Sequence, residues 1–299
     1  MHRHLLHNGS IHKTSEKLLT PGQTGLMNGW GVFSTIRVFD GVLFAYERHH
    51  ARMRKDAALL GVPFPFDHDQ LRQQLISLVE ANDAFNSTLR VCVVRNRGGL
   101  FEGDGIGRDA DLIAFTTDIH RWGDGVLLTV QPHGRHAASE FAGAKVLSWA
   151  FNLTWLERAR AAGFDEVILL NEHGHVAECT SANLFISMPG GVFTPPLSAG
   201  CLPGVTRQLL LGPARPPSLT IEEKNLSLDD LFAADSVFIT STTRELLPVL
   251  SINRRTINNQ GDARQIMQDS FSRHADEYVR AAPVRARMVR SLQALPVQE

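Results

Sequence analysis

The sequence has few of the features that mark exported, membrane-bound or nucleic-acid-binding proteins. Its 299 residues contain no apolar run that approaches the roughly 20 residues of a membrane span, and the first ten residues lack a signal-peptide core. Only three cysteines occur, and they are widely spaced, which indicates a reducing compartment without a disulfide framework. The formal net charge is -1, which argues against a global electrostatic attraction to nucleic acid or an anionic membrane. We therefore expect a cytoplasmic protein with no nucleic-acid or membrane partner.

Common catalytic motifs are missing as well. The sequence has no HExxH or paired CxxC spacing for zinc, no GxxxxGK[ST] phosphate loop and no GxSxG nucleophile elbow. The glycines at 103, 105 and 107 do not keep the GxGxxG register of dinucleotide-binding proteins. We therefore expect no metal site, and the chemistry must come from another set of residues.

Lysine is the scarce basic residue, and one lysine is unusual. Lys13, Lys17, Lys55 and Lys224 have polar neighbours, whereas Lys145 follows Gly-Ala and precedes the apolar run VLSWAF. Loss of hydration in such surroundings lowers the pKa of an amine and favours Schiff-base chemistry. A lysine that extends from the start of a helix into solvent fits the same pattern, so composition alone leaves both interpretations open.

Strand-like and helical segments alternate along the chain. The run 31–39 is rich in β-branched and aromatic residues and precedes an Asp-Gly turn, and apolar spacing predicts a helix over 67–84. Several hairpins among mixed strands and helices predict an α+β (mixed α/β) fold rather than a parallel doubly wound sheet. We expect a flexible amino-terminal end around His2, His4 and His7. The other expected elements are a helix that begins at 47 and is stopped by Gly61 and Pro63, strands at 88–94, 112–117 and 126–130, a helix at 148–163, a hairpin over 165–178, a helix from 204, a strand at 235–242 and an Arg-rich helix at 262–292.

Seven segments in consistent order, from about residue 25 to residue 250, resemble the class IV, fold-type IV pyridoxal-phosphate enzymes. This family includes branched-chain aminotransferases, D-amino-acid aminotransferases and aminodeoxychorismate lyases. The matching segments are GVFSTIRVFDG, HHARM, GAK, AAGFDEVIL, VAECTSANLF, LPGVTR and TSTTRELLPV. The resemblance implies a two-domain fold. The stretch between the strand-like runs that end near 117 and begin at 126 is the expected interdomain link, which gives an N-terminal α+β domain at 1–118, a linker at 119–125 and a C-terminal domain at 126–299 that holds the lysine. It also implies a homodimer.

The resemblance implies pyridoxal 5'-phosphate (PLP) as cofactor and assigns residues to it. Lys145 would carry PLP as a Schiff base, and Glu178 would face the pyridine nitrogen. The phosphate would be bound by an arginine, by backbone amides at a helix start and by hydroxyls, and a leucine would pack on the ring. These residues are Arg52, Val205, Thr206, Thr242 with its neighbour Thr243, and Leu202.

Each assignment has a plainer interpretation when it is taken alone. Arg52 is compatible with a solvated helix face, Glu178 with an exposed strand end, and the two threonines at 242 and 243 with ordinary strand positions. The arrangement nevertheless makes chemical sense, because an arginine and helix-start amides bind phosphate and a carboxylate keeps the pyridine nitrogen protonated. Their joint occurrence in family order favours the cofactor site.

The leading hypothesis for function is a ping-pong aminotransferase that moves the amino group of a branched-chain or other amino acid to 2-oxoglutarate or pyruvate. The alternative is a 4-amino-4-deoxychorismate lyase that releases pyruvate and 4-aminobenzoate, and a D-amino-acid aminotransferase is a further alternative. A non-catalytic dimer that keeps the fold is a fourth hypothesis.

Residues for the substrate are less clear. Candidate contacts are Phe33, Arg97 and Trp122, although the first and last are equally compatible with core packing and Arg97 with a solvated loop. The chain also departs from its relatives, since Ala150 stands where branched-chain enzymes have tyrosine and Ser34 replaces the usual acidic residue. For Arg285, Arg287 and Arg290 we expect a solvated helical face.

Overall fold

Two β-sheets, one from each half of the chain, form the framework. The computed structural model describes residues 1–99, 102–104 and 106–287. The first sheet has six strands in the order β2-β1-β6-β5-β3-β4. Its elements, with the helices of this half, are β1 (His4–His7), β2 (Ser10–Lys13), α1 (Thr24–Asn28), β3 (Gly31–Phe39), β4 (Val42–Leu43), α2 (Tyr46–Leu59), α3 (His68–Ala81), β5 (Ser87–Arg95) and β6 (Ala110–Thr117).

The centre of this sheet is a long antiparallel pair. β3 and β5 pair from Gly31 opposite Val94 to Val38 opposite Ser87, and β-branched residues fill both strands. Helices α2 and α3 cover one face, where Met53 and Leu75 pack with the apolar side chains of β3. The Asp67 side chain accepts hydrogen bonds from two backbone amides and so begins α3.

The second sheet has eight strands in one path, with a ninth strand paired to β14. The path runs β12-β11-β10-β13-β14-β7-β8-β9, and the parallel neighbours β7 and β8 are connected through α4. Apolar side chains of α5 and α7 pack against β13 in a shared core. The elements are β7 (Val126–Gln131), α4 (Ala150–Ala161), β8 (Glu166–Leu170), β9 (Val176–Cys179), β10 (Asn183–Met188), β11 (Gly191–Thr194), α5 (Val205–Leu211), β12 (Ile221–Glu223), α6 (Leu228–Ala233), β13 (Ser236–Ser241), β14 (Glu245–Ile252), β15 (Arg255–Thr256) and α7 (Ala263–Ala281).

The fold class predicted from the sequence, mixed α/β, is confirmed. The predicted linker 119–125 falls between β6 and β7, where no helix or strand is formed. The two halves are nevertheless joined by a short segment, 145–147, that runs along β3. Val146 bridges Val32, and the Leu147 amide donates to the Gly31 carbonyl at 2.9 Å. The boundary between the two proposed domains is therefore crossed by the chain that follows Lys145.

The structure corrects two expectations about the ends of the chain. The amino-terminal end is not flexible, because β1 pairs with both β2 and β6 and the His7 ring is 3.0 Å from the Asp111 carboxylate. The last helix ends at Ala281 rather than at 292, because Pro283 disfavours helical backbone at Ala282, which is extended. Residues 288–292 of that prediction, including Arg290, lie outside the described residues.

The exposed Arg285 and Arg287 therefore follow a helix rather than form one of its faces. Between them, the Ala286 amide donates to the Gly41 carbonyl at 2.8 Å and so ties this end of the chain to the first sheet. No helix in the described part of the chain is long and apolar enough to cross a membrane.

Candidate active site

A cavity of about 490 Å³ lies between the two sheets and is lined by residues of both halves. It brings together positions that are up to 210 residues apart in the sequence. Ten of the eleven residues predicted for the site line it, namely Phe33, Arg52, Trp122, Lys145, Glu178, Leu202, Val205, Thr206, Thr242 and Thr243.

The structure does not bring Arg97 into this cavity. Its side chain is exposed, with Nε 3.2 Å from Glu102 Oε1 and Nη1 3.7 Å from Asp109 Oδ1. These nearby carboxylates satisfy the guanidinium locally. The expectation that Arg97 contacts substrate therefore receives no support from the geometry of this chain.

The main chain of Lys145 is fixed from both sides. Its carbonyl accepts a hydrogen bond from the Phe33 amide at 3.1 Å, and its amide donates to Asp56 Oδ2 at 3.1 Å. Gly143 permits the preceding turn, because its φ is +76° and a Cβ there would lie 2.8 Å from the Cys201 carbonyl oxygen. The lysine is thus held against the first sheet although it belongs to the second half of the chain.

The Lys145 side chain is partly buried, and its Nζ lies 4.5 Å from the centre of the Phe33 ring. Burial, reinforced by the nearby Arg52, lowers the pKa of this amine to about 7, although Glu178 and Asp56 act in the opposite direction. A substantial fraction of the amine is therefore neutral and nucleophilic near neutral pH.

Glu178 lies at the end of β9 and is buried. Its Oε1 accepts from Arg135 Nε at 3.0 Å, and its Oε2 accepts from the Leu202 amide at 3.0 Å. Arg135 is held in turn by Asn152 Oδ1, 3.2 Å from its Nη1. The carboxylate is thereby fixed at the cavity wall in one orientation.

Arg52 is a buried cation that forms no ion pair with the carboxylates of the described residues. It lies on α2 with 8% exposure. Its Nη2 donates to Ser34 Oγ at 2.8 Å, and its Nε has no hydrogen-bond partner among those residues. Burial lowers the pKa of Arg52 to about 10, so it stays charged at neutral pH. Such a group is suited to bind an anion that enters the cavity.

A buried histidine orients the Ser34 hydroxyl. His49 Nδ1 is 2.8 Å from Ser34 Oγ, and burial lowers the pKa of this histidine well below its usual value. Arg52 can only donate to Ser34, and the remaining hydrogen-bonding capacity of the hydroxyl is directed at Nδ1 of a neutral His49. The three side chains form a chain of hydrogen bonds behind the cavity.

The cavity has a second group of donors besides Arg52. Helix α5 begins at Val205, Thr206 follows in its first turn, and the buried Thr240 Oγ1 has no partner within the described part of the chain. Gly204 precedes the helix, and a Cβ there would lie 2.1 Å from Asn183 Oδ1. Thr242 and Thr243 complete this end of the cavity. Unpaired donors in both groups fit the phosphate of PLP, as the resemblance implies.

Several cavity residues were not predicted from the sequence. Arg90, on β5, places its guanidinium carbon 3.8 Å from the centre of the Phe33 ring. Arg244 stacks at 3.8 Å on the Trp122 ring, whose Nε1 donates to the Thr243 carbonyl at 3.0 Å. An arginine within an otherwise apolar strand was a signal for Arg90. For Arg244 the fold alone reveals the contact, because Trp122 is far away in sequence.

Behind this wall lies a buried ion pair. Arg244 Nη2 is 3.1 Å from Oε2 of Glu166, whose exposure is 0%. Glu166 also accepts from the Thr180 and Ser181 hydroxyls, and Arg244 Nη1 donates to the Ser181 carbonyl at 3.3 Å. The pair connects the turn after Glu178 to the turn that carries Thr242 and Thr243.

The sequence was compared with known families and proteins. The family model described as amino-transferase class IV matches residues 31–252. A D-alanine aminotransferase of Bacillus licheniformis is 32% identical over 259 residues, which cover 85% of this chain and 90% of the relative. A putative branched-chain-amino-acid aminotransferase of Methanocaldococcus jannaschii is 29% identical over 269 residues, with 88% and 93% covered.

Solved structures of the same architecture were also found. The branched-chain amino acid aminotransferase of Escherichia coli superposes with a TM-score of 0.84 at 23% identity, covering 92% of this chain and 95% of that chain. A putative 4-amino-4-deoxychorismate lyase of Legionella pneumophila has a TM-score of 0.80 at 22% identity, with 87% and 96% covered. At these identities the two structures establish the fold and leave the choice of substrate open.

Proposed function

The chain belongs to the class IV aminotransferases, which use PLP, and from this premise we propose that it transfers the amino group of an apolar amino acid to a dicarboxylic 2-oxo acid such as 2-oxoglutarate. The observation that carries the proposal is one cavity that holds Lys145, Glu178 and Arg52 together. The aromatic walls suit an apolar donor. A free arginine in the same cavity suits the second carboxylate of the acceptor.

The residues present would hold PLP at both of its ends. Arg52, the Val205 amide and the hydroxyls of Thr206, Thr242 and Thr243 would bind the phosphate, while Glu178 would face the pyridine nitrogen. Leu202 would pack against the ring. When bound, PLP supplies an electron-withdrawing ring that stabilises negative charge at the substrate Cα.

Lys145 performs the proton transfer in this scheme. Its Nζ would take the proton from the Cα of the amino donor in the first half-reaction and would deliver a proton to the Cα of the acceptor in the second. A pKa of about 7 suits both steps, since the amine can accept and release a proton at neutral pH. The Phe33 ring, whose centre is 4.5 Å from Nζ, packs against this amine, and the Trp149 ring lies 6.0 Å from the Phe33 ring.

Arg90 is the residue that we propose binds the second carboxylate of the acceptor. It lines the cavity close to Phe33 and has no ion-pair partner within the described residues. Replacement by methionine, R90M, removes a bidentate donor, so we expect KM for 2-oxoglutarate to rise about tenfold or more. The R273M variant alters an exposed arginine of α7 and serves as a matched control.

Steady-state kinetics with 2-oxoglutarate and with pyruvate would check this expectation. KM for pyruvate, which has no second carboxylate, should change much less in R90M. An equal effect on both acceptors would contradict the assignment of Arg90 to the second carboxylate.

A half-reaction panel tests the proposed donor. L-leucine, D-alanine and L-glutamate are added separately to the holoenzyme, and conversion to the pyridoxamine form is followed by absorbance. We expect conversion with leucine and with glutamate. If neither converts the cofactor and aminodeoxychorismate instead yields 4-aminobenzoate, the proposed transfer is wrong and the lyase alternative is correct.

A D-amino acid donor is the second candidate, and the similarity to a D-alanine aminotransferase favours it. The same panel separates the two, because D-alanine would then convert the cofactor faster than leucine. Both candidates use the same cavity and differ in which face of the substrate Cα presents its proton to Lys145.

We further propose that the protein is a cytoplasmic homodimer. Its three cysteines are free, which suits a reducing compartment. Apolar side chains near the cavity mouth are exposed, above all Phe151 at 77% and Phe141 at 46%, and a second copy would cover them. Light scattering of the purified protein tests the dimer, and a monomeric mass would overturn it.

A further inference from the structure

A buried carboxylate, Asp56, touches the main chain of the reactive lysine. Asp56 lies on α2 one turn after Arg52, so both side chains lie on the same face of the helix. Its exposure is only 4%, and its Oδ2 accepts the Lys145 amide at 3.1 Å. One helix thus carries both the proposed phosphate ligand and the contact that fixes the lysine.

A buried carboxylate costs more free energy at this position than a neutral hydrogen-bond acceptor would. A neutral side chain such as serine or asparagine would accept the same amide hydrogen, whereas a buried charge loses hydration. Within the described ranges Asp56 has no ion-pair partner, and burial raises the pKa of its carboxyl. Packing and hydrogen bonding alone do not explain why a carboxylate stands at this position.

The charges around the amine supply a reason. Arg52 on α2 and Arg90 on β5 are near Lys145, and their positive charge opposes protonation of Nζ, whereas the buried His49 is neutral. Glu178 from β9 and Asp56 from α2 favour protonation. Without Asp56, Glu178 would be the only carboxylate among these groups that offsets the effect of Arg52 and Arg90 on the amine.

We propose that Asp56 is a positioning residue for the transfer reaction, which fixes the main chain of Lys145 and supplies a buried negative charge to the group around its amine. This inference rests on the proposed role of Lys145 and goes beyond it. The carboxylate has two separable effects. The hydrogen bond sets where the amine lies, and the charge sets how firmly Nζ holds the proton that it carries between the two steps.

Two substitutions separate these effects. D56N keeps an acceptor oxygen in nearly the same place but removes the charge, whereas D56A removes both. E277Q neutralises an exposed carboxylate on α7 and is the matched control. Circular dichroism of each variant shows whether it folds.

The effect of the Asp56 charge is measured on the apoprotein. Lys145 is labelled with an amine reagent over a range of pH, and mass spectrometry reports the extent of labelling. The exposed Lys17 is the internal reference. We expect the midpoint for Lys145 to move to lower pH by about one unit in D56N and in D56A, while Lys17 stays unchanged. The position is measured by titration of the apoprotein with PLP. We expect an affinity near that of wild type in D56N and a loss of about tenfold in D56A.

An unchanged labelling midpoint in D56N overturns the proposal, and so does an equal PLP affinity in D56N and D56A. If D56A does not fold, the midpoint in D56N decides. Failure of the underlying function looks different, because borohydride reduction of wild-type holoenzyme would then place the PLP label on a residue other than Lys145.

Discussion

The two sides of the cavity treat buried charge in opposite ways. On the β8 side, Arg244 and Glu166 form an ion pair, in which Glu166 also accepts from two hydroxyls and Arg244 Nη1 donates to the Ser181 carbonyl. On the α2 side, among the described residues, the Arg52 side chain hydrogen-bonds only to the Ser34 hydroxyl and the Asp56 side chain only to the Lys145 amide. Paired charges of the first kind hold turns in place. Unpaired charges of the second kind are poised to bind an anion and to act on Lys145.

The largest effect is expected on the side of the Glu166–Arg244 ion pair. E166A leaves Arg244 buried without its partner, so we expect a loss of about 3–5 kcal/mol in the free energy of unfolding. Urea denaturation of the apoprotein measures this loss. The double variant E166L/R244M replaces both charges with apolar groups and should recover most of it. A loss below about 1 kcal/mol in E166A would show that the pair does not hold the turns.

On the unpaired side the expected effect is smaller and falls on ligand binding. R52M removes a buried cation that forms no ion pair within the described residues, although Asp56 and Glu178 lie near enough to favour its charge. The free energy of unfolding of the apoprotein should therefore change much less than in E166A. Its affinity for PLP should fall about 30-fold, which corresponds to about 2 kcal/mol. The two quantities are measured by urea denaturation and by fluorescence titration. The opposite pattern, with lower stability and unchanged affinity, would make Arg52 a structural residue like Arg244.

A third expected effect is a pH dependence that originates in Lys145. Its pKa in the folded protein is about 7, against 10.5 for a free lysine, so the unfolded chain binds more protons between these values. The contribution of this group to stability is therefore least favourable below pH 7 and rises as the pH increases toward 10.5.

The K145M variant isolates this dependence. The free energy of unfolding of apoprotein is measured for wild type and K145M at pH 7 and pH 9, and groups common to both cancel in the difference. We expect wild type to gain stability relative to K145M at the higher pH. If the difference in the free energy of unfolding between wild type and K145M is the same at both pH values, the amine is hydrated and its pKa is that of an exposed lysine.

The sequence was most informative where a residue conflicted with its own neighbours. Lys145 was identified because an amine stands next to an apolar run, and the cavity does hold it. On α2, His49, Arg52 and Asp56 follow helical spacing on one face. That stripe of polar residues is compatible with a solvated surface when seen alone. Only the fold shows that β3 and the 145–147 segment cover it.

Contacts between residues that are distant in the sequence could not be predicted, and the reason is physical. Arg135 and Glu178 meet because β8 and β9 form a hairpin beside the chain that follows β7, and Arg90 meets Phe33 across the β3–β5 pair. No local pattern encodes which charges will face each other after the sheets pack. The amino-terminal strand was missed for a similar reason, since its pairing with β6 joins residues more than 100 positions apart.

The strand-like segment 145–147 has a consequence for the order of assembly. Its hydrogen bonds are made to Phe33, Gly31 and Asp56, all of which belong to the first half of the chain. The lysine therefore reaches its working position only after both halves have folded and docked. Capture of the vitamin-derived cofactor should then be a late event in biogenesis, and a coloured protein would report that folding is complete.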